Sequence, residues 1–121
     1  MKYNQNFRIS QVTNRTLVIG VDIAKKTHYA RAFDYRGIEF GKYIEFSATH
    51  EGFETFIKWA NKLAIGQKLE KIIVGIEPTG HYWYTFAQAV IGGKMILVQV
   101  NPYHVKGSME QSVNVKHFFT K

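Results

Sequence analysis

Two stretches decide how this chain folds: Leu17-Val18-Ile19-Gly20-Val21-Asp22 and Ile72-Ile73-Val74-Gly75-Ile76-Glu77. Each is a continuous apolar run rather than an alternating one, the pattern of a central strand covered on both faces. Each also ends on an acid. A carboxylate at the mouth of a buried strand is costly unless something pairs with it, and a divalent metal is one natural partner. After Glu77 the only acid is Glu110, so a metal site built on this pair is expected to be incomplete within the chain.

Working outward, residues 28–34 read as a second strand and 35–37 as a turn. Residues 38–46 alternate, with Ile38, Phe40, Ile44 and Phe46 on one side and Glu39, Tyr43 and Glu45 on the other. That is the pattern of a half-exposed antiparallel or edge strand. A helix is predicted from about His50 to Ala64, where Phe53, Phe56, Ile57, Ala60, Leu63 and Ala64 follow the helical period. Thr49 suits its N-cap and Gly66 its stop. A fourth strand covers 71–76. A second helix is predicted over 80–91, capped by Thr79 and ended by Gly92-Gly93, with Tyr82, Trp83, Phe86, Ala87, Val90 and Ile91 inward. A fifth strand covers 94–100, and Asn101-Pro102 suits the start of a short helix. Residues 1–14 read as a polar arm, 15–106 as the domain, and 107–121 as an irregular tail.

The order β-β-β-α-β-α-β predicts an α/β fold: a mixed sheet made of a three-strand antiparallel meander plus parallel strands, with flanking helices. Ligands and chemistry gather at the carboxyl ends of parallel strands in such sheets. Asp22 and Glu77 stand side by side there if strands one and four are neighbours.

Composition narrows the classes. Apolar residues make up 45% of the 121, enough for a real core. There is no cysteine, which excludes disulfides and thiolate metal sites and agrees with a cytoplasmic protein. No apolar stretch approaches the roughly 18 residues of a membrane span. The formal net charge of +7 attracts polyanions.

Two carboxylates at adjacent strand ends can share a metal ion. With further acids they can hold two, one activating a nucleophile and one stabilising a leaving oxygen, which is the chemistry of phosphodiester cleavage and strand transfer. The plainer alternative is that Asp22 caps a turn and Glu77 pairs with Lys25 or Lys26. Those lysines either meet phosphates as point charges or form a solvated turn. His81 and Tyr82 open the second helix beside Glu77 and could stack on an unpaired base, whereas Trp83 and Phe86 belong to the core by helical spacing. His28 opens strand two near Asp22 without a further pointer to function. His50, His104 and His117 have no zinc-site spacing.

Gly20-Val21-Asp22-Ile23-Ala24-Lys25, Glu77-Pro78-Thr79-Gly80-His81-Tyr82-Trp83 and Val100-Asn101-Pro102 together resemble the DEDD transposases of the IS-one-ten type over about residues 16–106. The resemblance implies a RuvC-like, RNase H-type domain of an insertion-sequence transposase that cleaves and joins DNA. It implies Mg²⁺ or Mn²⁺ as cofactor and a structured guide RNA as partner. It maps the first two of the family's four acids to Asp22 and Glu77. The other two belong to a later Asp-x-x-Asp motif, and this chain has no Asp after Asp34. Glu110 falls before that motif and is not expected to replace it. The family's downstream domain, with a serine proposed as nucleophile, is also not expected here. The chain therefore reads as an N-terminal part of such a transposase, its RNase H-like fold incomplete at the C-terminus. Two alternatives stand beside it. One is a non-catalytic nucleic-acid-binding module or regulator that forms homo-oligomers or joins the full-length transposase. The other is half of a sugar-kinase or actin-like ATPase, which also opens on a strand ending Gly-x-Asp. Against the latter, Ile23-Ala24-Lys25-Lys26 does not continue as a phosphate loop, and no second Gly-rich loop follows.

Overall fold

The computed structural model describes residues 12–78 and 80–100. Within them the chain runs β1 (Thr16–Asp22), β2 (Thr27–Phe33), β3 (Ile44–Ser47), α1 (His50–Gly66), β4 (Lys71–Ile76), α2 (Trp83–Gly92) and β5 (Ile96–Gln99). The five strands form one mixed sheet in the order β3-β2-β1-β4-β5. The β1–β2 and β2–β3 pairs are antiparallel, and β1–β4 and β4–β5 are parallel. The expected α/β architecture is present.

The sheet is central because β1 and β4 have two apolar faces. Leu17, Ile19 and Val21 alternate with Val18, and Val74 and Ile76 alternate with Ile73; all are buried. Leu17, Ile19, Val21, Val74 and Ile76 pack with Ala30, Ala32 and Phe46 against Phe53, Phe56, Ala60 and Ala64 of α1 and Phe86 and Val90 of α2. Both helices therefore cover the same face. An aromatic group holds this layer together: Phe56 lies 5.0 Å from both Phe46 and Phe86, ring centre to ring centre, and Phe53 lies 5.7 Å from Phe86. On the other face Ile73, Val98 and Val100 form a second buried cluster with Val12 and Ile96 against it.

Several boundaries differ from the sequence expectation: the fifth strand covers Ile96–Gln99 rather than 94–100, and the larger differences in the third strand and the second helix have local reasons. The third strand covers only Ile44–Ser47, not 38–46. Gly41 has a φ of 59°, which turns the chain in mid-run, and residues 38–40 keep only an isolated bridge between Phe33 and Glu39. Ile38, expected on the apolar side, is 54% exposed at the end of a turn whose Arg36 and Ile38 N–H groups both donate to Asp34 Oδ1. The second helix begins at Trp83, not near Gly80. Gly80 has a φ of 63°, incompatible with a right-handed helix, and Tyr82 takes the N-cap position without a side-chain cap bond. Tyr82 and Ile91 are exposed rather than inward. The first helix runs two residues further than expected, through Gly66. The expected cap Thr79, the short helix at Asn101-Pro102, the tail from Gly107 and most of the N-terminal arm lie outside the described residues.

Thr49 caps α1 as expected, its side chain accepting from Gly52 N–H at 3.1 Å. The same turn brings the chain so close that a Cβ on Gly52 would meet the Ser47 carbonyl oxygen at 1.9 Å. Both helices end in a left-handed residue that is not glycine: Lys68 at φ 58° and Lys94 at φ 64°. The bonds Leu69 N–H to Ala64 O (2.8 Å) and Met95 N–H to Val90 O (3.1 Å) close these ends.

Two opposite stability changes follow. Gly52→Ala should destabilise the chain by roughly 1–3 kcal/mol despite its better helix propensity, because backbone oxygen must move. Lys68→Gly should stabilise it by up to about 1 kcal/mol, because the left-handed strain outweighs the entropy of glycine. Urea denaturation checks both, and a neutral Gly52→Ala would contradict the close approach.

Candidate functional site

The β1–β4 register runs from Thr16 opposite Lys71 to Val21 opposite Ile76. Asp22 is the last residue of β1 and Glu77 the first after β4, so both follow the final register pair, on backbones spaced about 4.8 Å apart as neighbouring strands are. Alternation turns Val21 and Ile76 to the helix face and Asp22 to the opposite one. Gly20 and Gly75, register partners two residues earlier, bring no side chains to that face. On its other flank Asp22 is paired with Tyr29 of β2, which is exposed.

Asp22 is exposed and Glu77 half-buried. Among the described residues neither makes an ion pair or a side-chain hydrogen bond; the ion pairs there join Arg15 to Glu70, Arg31 to Glu39, Arg36 to Asp34 and His50 to Glu54. The alternative in which Glu77 pairs with Lys25 or Lys26 is therefore not found. Two uncommitted carboxylates with hard oxygen donors suit Mg²⁺ or Mn²⁺ as part of a ligand set. They are not a whole set: among the described residues no three His, Asp or Glu side chains could hold one ion together.

The remaining candidate residues surround this pair unequally. Lys25 and Lys26 are exposed in the loop directly after β1 and make no ion pair among the described residues. His81 and Tyr82 are exposed before α2, their ring centres 6.3 Å apart. Trp83 packs partly against the core and Phe86 is fully buried, as their spacing predicts.

One residue near the site was passed over by the sequence reading. His28, in β2, is fully buried. Its Nδ1 accepts a 3.2 Å hydrogen bond from the Ala24 N–H, in the loop after Asp22. The signal lay in strand alternation, which groups His28 with Ala30 and Ala32 on the core face. Burial lowers its pKa from the ordinary histidine value; the backbone at Thr27 and the charge on Asp22 oppose this and do not overcome it.

The mixed sheet, with its antiparallel meander, parallel strands and flanking helices, is an α/β fold of the RNase H-like kind, and Asp22 and Glu77 lie at the carboxyl ends of parallel strands, where ligands gather in open α/β sheets. Comparison with known families agrees. The DEDD transposase family model of the IS110 (IS-one-ten) type, described as transposase, matches residues 19–116. The chain belongs to this transposase family. No curated protein matches it. Among solved structures, the ethanolamine utilization protein EutJ from Carboxydothermus hydrogenoformans is similar at 17% identity and a TM-score of 0.38, over 67% of this chain. The present chain covers 35% of that one, and a likeness this slight supports no further conclusion. Among the described residues no helix is long and apolar enough to cross a membrane.

The His28 shift has a pH consequence. The unfolded chain takes up a proton near the ordinary histidine value, while the folded chain resists it, so the unfolded state binds more protons in that range. The stability contributed by neutral His28 is present above about pH 6.5 and is lost as pH falls below it. Urea midpoints measured from about pH 8 down to about pH 5 should therefore decline, and His28→Phe should flatten the decline.

Proposed function

We propose that this chain supplies part of a divalent-metal site for DNA cleavage and strand transfer in transposition, with Asp22 and Glu77 as metal ligands and catalytic residues. One observation carries the reading: the two carboxylates stand level on adjacent parallel strands and have no partner among the described residues. Left alone they repel each other, and a shared cation relieves that repulsion. A divalent ion held there supplies positive charge to stabilise attacking and leaving oxygens at a phosphodiester.

In this reading Asp22 and Glu77 are half of a four-carboxylate set, and the part at residues 15–106 is a partial RuvC-like domain. Lys25 and Lys26 contact backbone phosphates beside the carboxylates. His81 and Tyr82 offer exposed rings for an unpaired base on the Glu77 side. A guide RNA, DNA and further copies of the transposase are the partners, in the cytoplasm. The net charge of +7 supports a nucleic-acid partner in general. Family membership favours this over the ATPase alternative.

The test is binding and cleavage by the chain itself. DNA affinity should fall steeply with salt, and Lys25→Ala with Lys26→Ala should reduce the log–log slope by about two. Calorimetry should find only weak Mg²⁺ or Mn²⁺ binding, diminished further by Asp22→Asn. Robust cleavage of nicked or branched DNA by the chain alone, lost in Asp22→Asn, would overturn the half-site. Failure to bind any nucleic acid at low salt would overturn the role itself.

A further inference from the structure

We infer that His28 is a positioning residue for the loop bearing Asp22, Lys25 and Lys26, acting through the hydrogen bond from Ala24 N–H to its Nδ1. The functional half of this statement rests on the proposed role of Asp22; the structural half does not.

The surroundings of His28 are those of a phenylalanine. Its ring is stacked on Phe53 (centres 6.1 Å apart, planes 12° apart) and meets the edges of Phe46 at 5.4 Å and Phe86 at 5.7 Å. These contacts come from β3, α1 and α2, all on the helix-covered face of the sheet. A phenylalanine would fill this cage without any polar atom. The imidazole instead leaves its Nε2 buried with no hydrogen-bond partner among the described residues. A neutral imidazole has one donor and one acceptor. Nδ1 accepts from Ala24, so Nε2 carries the hydrogen, unpaired among the described residues. A buried unpaired donor is a cost that packing alone does not explain.

What histidine provides and phenylalanine lacks is the acceptor at Nδ1. That acceptor holds Ala24 N–H, two residues beyond Asp22. Two residues further on, the Lys26 carbonyl accepts from Ala48 N–H at 2.8 Å. The loop of residues 23–26 is thus tied to the core at one end and to the β3–α1 connection at the other. Asp22, already fixed by pairing with Tyr29, continues into a pinned segment rather than a free one. The preference for an acceptor over a better-packed ring is what a site-positioning role requires, since a carboxylate must be held closely to serve as a ligand.

Two substitutions separate positioning from packing. His28→Phe keeps the ring and removes the acceptor. His28→Asn removes the ring but places Oδ1 where Nδ1 stood. In the full chain, amide hydrogen exchange at Ala24 is read by NMR, together with Mn²⁺-induced line broadening at residues 22–26 and 77. His28→Phe should fold and melt at or above the parent temperature, yet exchange Ala24 at least about tenfold faster and need several-fold more Mn²⁺ for the same broadening. His28→Asn should melt lower and still restore slow exchange and the Mn²⁺ response, a pattern that loss of packing cannot produce. Unchanged Ala24 exchange in His28→Phe overturns the inference, as does an Asn variant no better than Phe. If His28→Asn does not fold, the parent and His28→Phe decide between themselves. If the parent shows no Mn²⁺ broadening at Asp22 and Glu77, the metal reading fails, while Ala24 exchange still decides whether His28 holds the loop.

Discussion

The parallel pairing of β1 with β4 is the constraint on which the rest of the molecule depends. The two strands share an unbroken register from Thr16–Lys71 to Val21–Ile76 and are buried along nearly all of it. Each fully buried Leu, Ile or Val in them contributes about 1.5–3 kcal/mol relative to exposure, so a slip in register would move several such side chains to the wrong face. The register also has a chemical consequence. It ends both strands at the same height, and it is there that Asp22 and Glu77 follow.

The sheet is organised asymmetrically around that pairing. Both helices lie on one face, over an aromatic layer of Phe46, Phe53, Phe56 and Phe86. Asp22 belongs to the other face, next to two glycines that leave it uncrowded. Stability and chemistry are thereby separated: the apolar layer supplies cohesion, and the strand ends carry the charges. His28 joins the two, because its ring belongs to the aromatic layer while its Nδ1 reaches the loop after Asp22.

The candidate site is defined as much by what does not touch it as by what does. Four ion pairs occur among the described residues, all involving acids other than Asp22 and Glu77. Asp34 shows the contrast. Arg36 and two backbone N–H groups satisfy it, its carboxyl is held below the ordinary carboxylate value, and it closes a turn. Burial pushes the other way there and is outweighed by these bonds. A committed acid of that kind is structural. Among the described residues the two strand-end acids have no such commitment.

Much of this was legible along the chain. The runs at 16–22 and 71–76 read as central strands, because an apolar strand without alternation is satisfied only when both faces are covered. Thr49 and the spacing of Phe53, Phe56 and Ala60 likewise set the first helix. The boundaries at 38–46 and 80–83 were not legible, because they turn on the left-handed backbone of Gly41 and Gly80, a choice a composition pattern does not record. Nor was His28, whose meaning depends on three rings brought from distant segments. By itself, then, the sequence determined which segments are buried and that two of them end in acid, since periodicity and residue chemistry are local properties. Only the tertiary structure decided that these acids follow the same register pair, without an ion pair among the described residues, and that an imidazole accepts a bond from the loop beside them, because register and burial are properties of strands that meet across about fifty residues of chain.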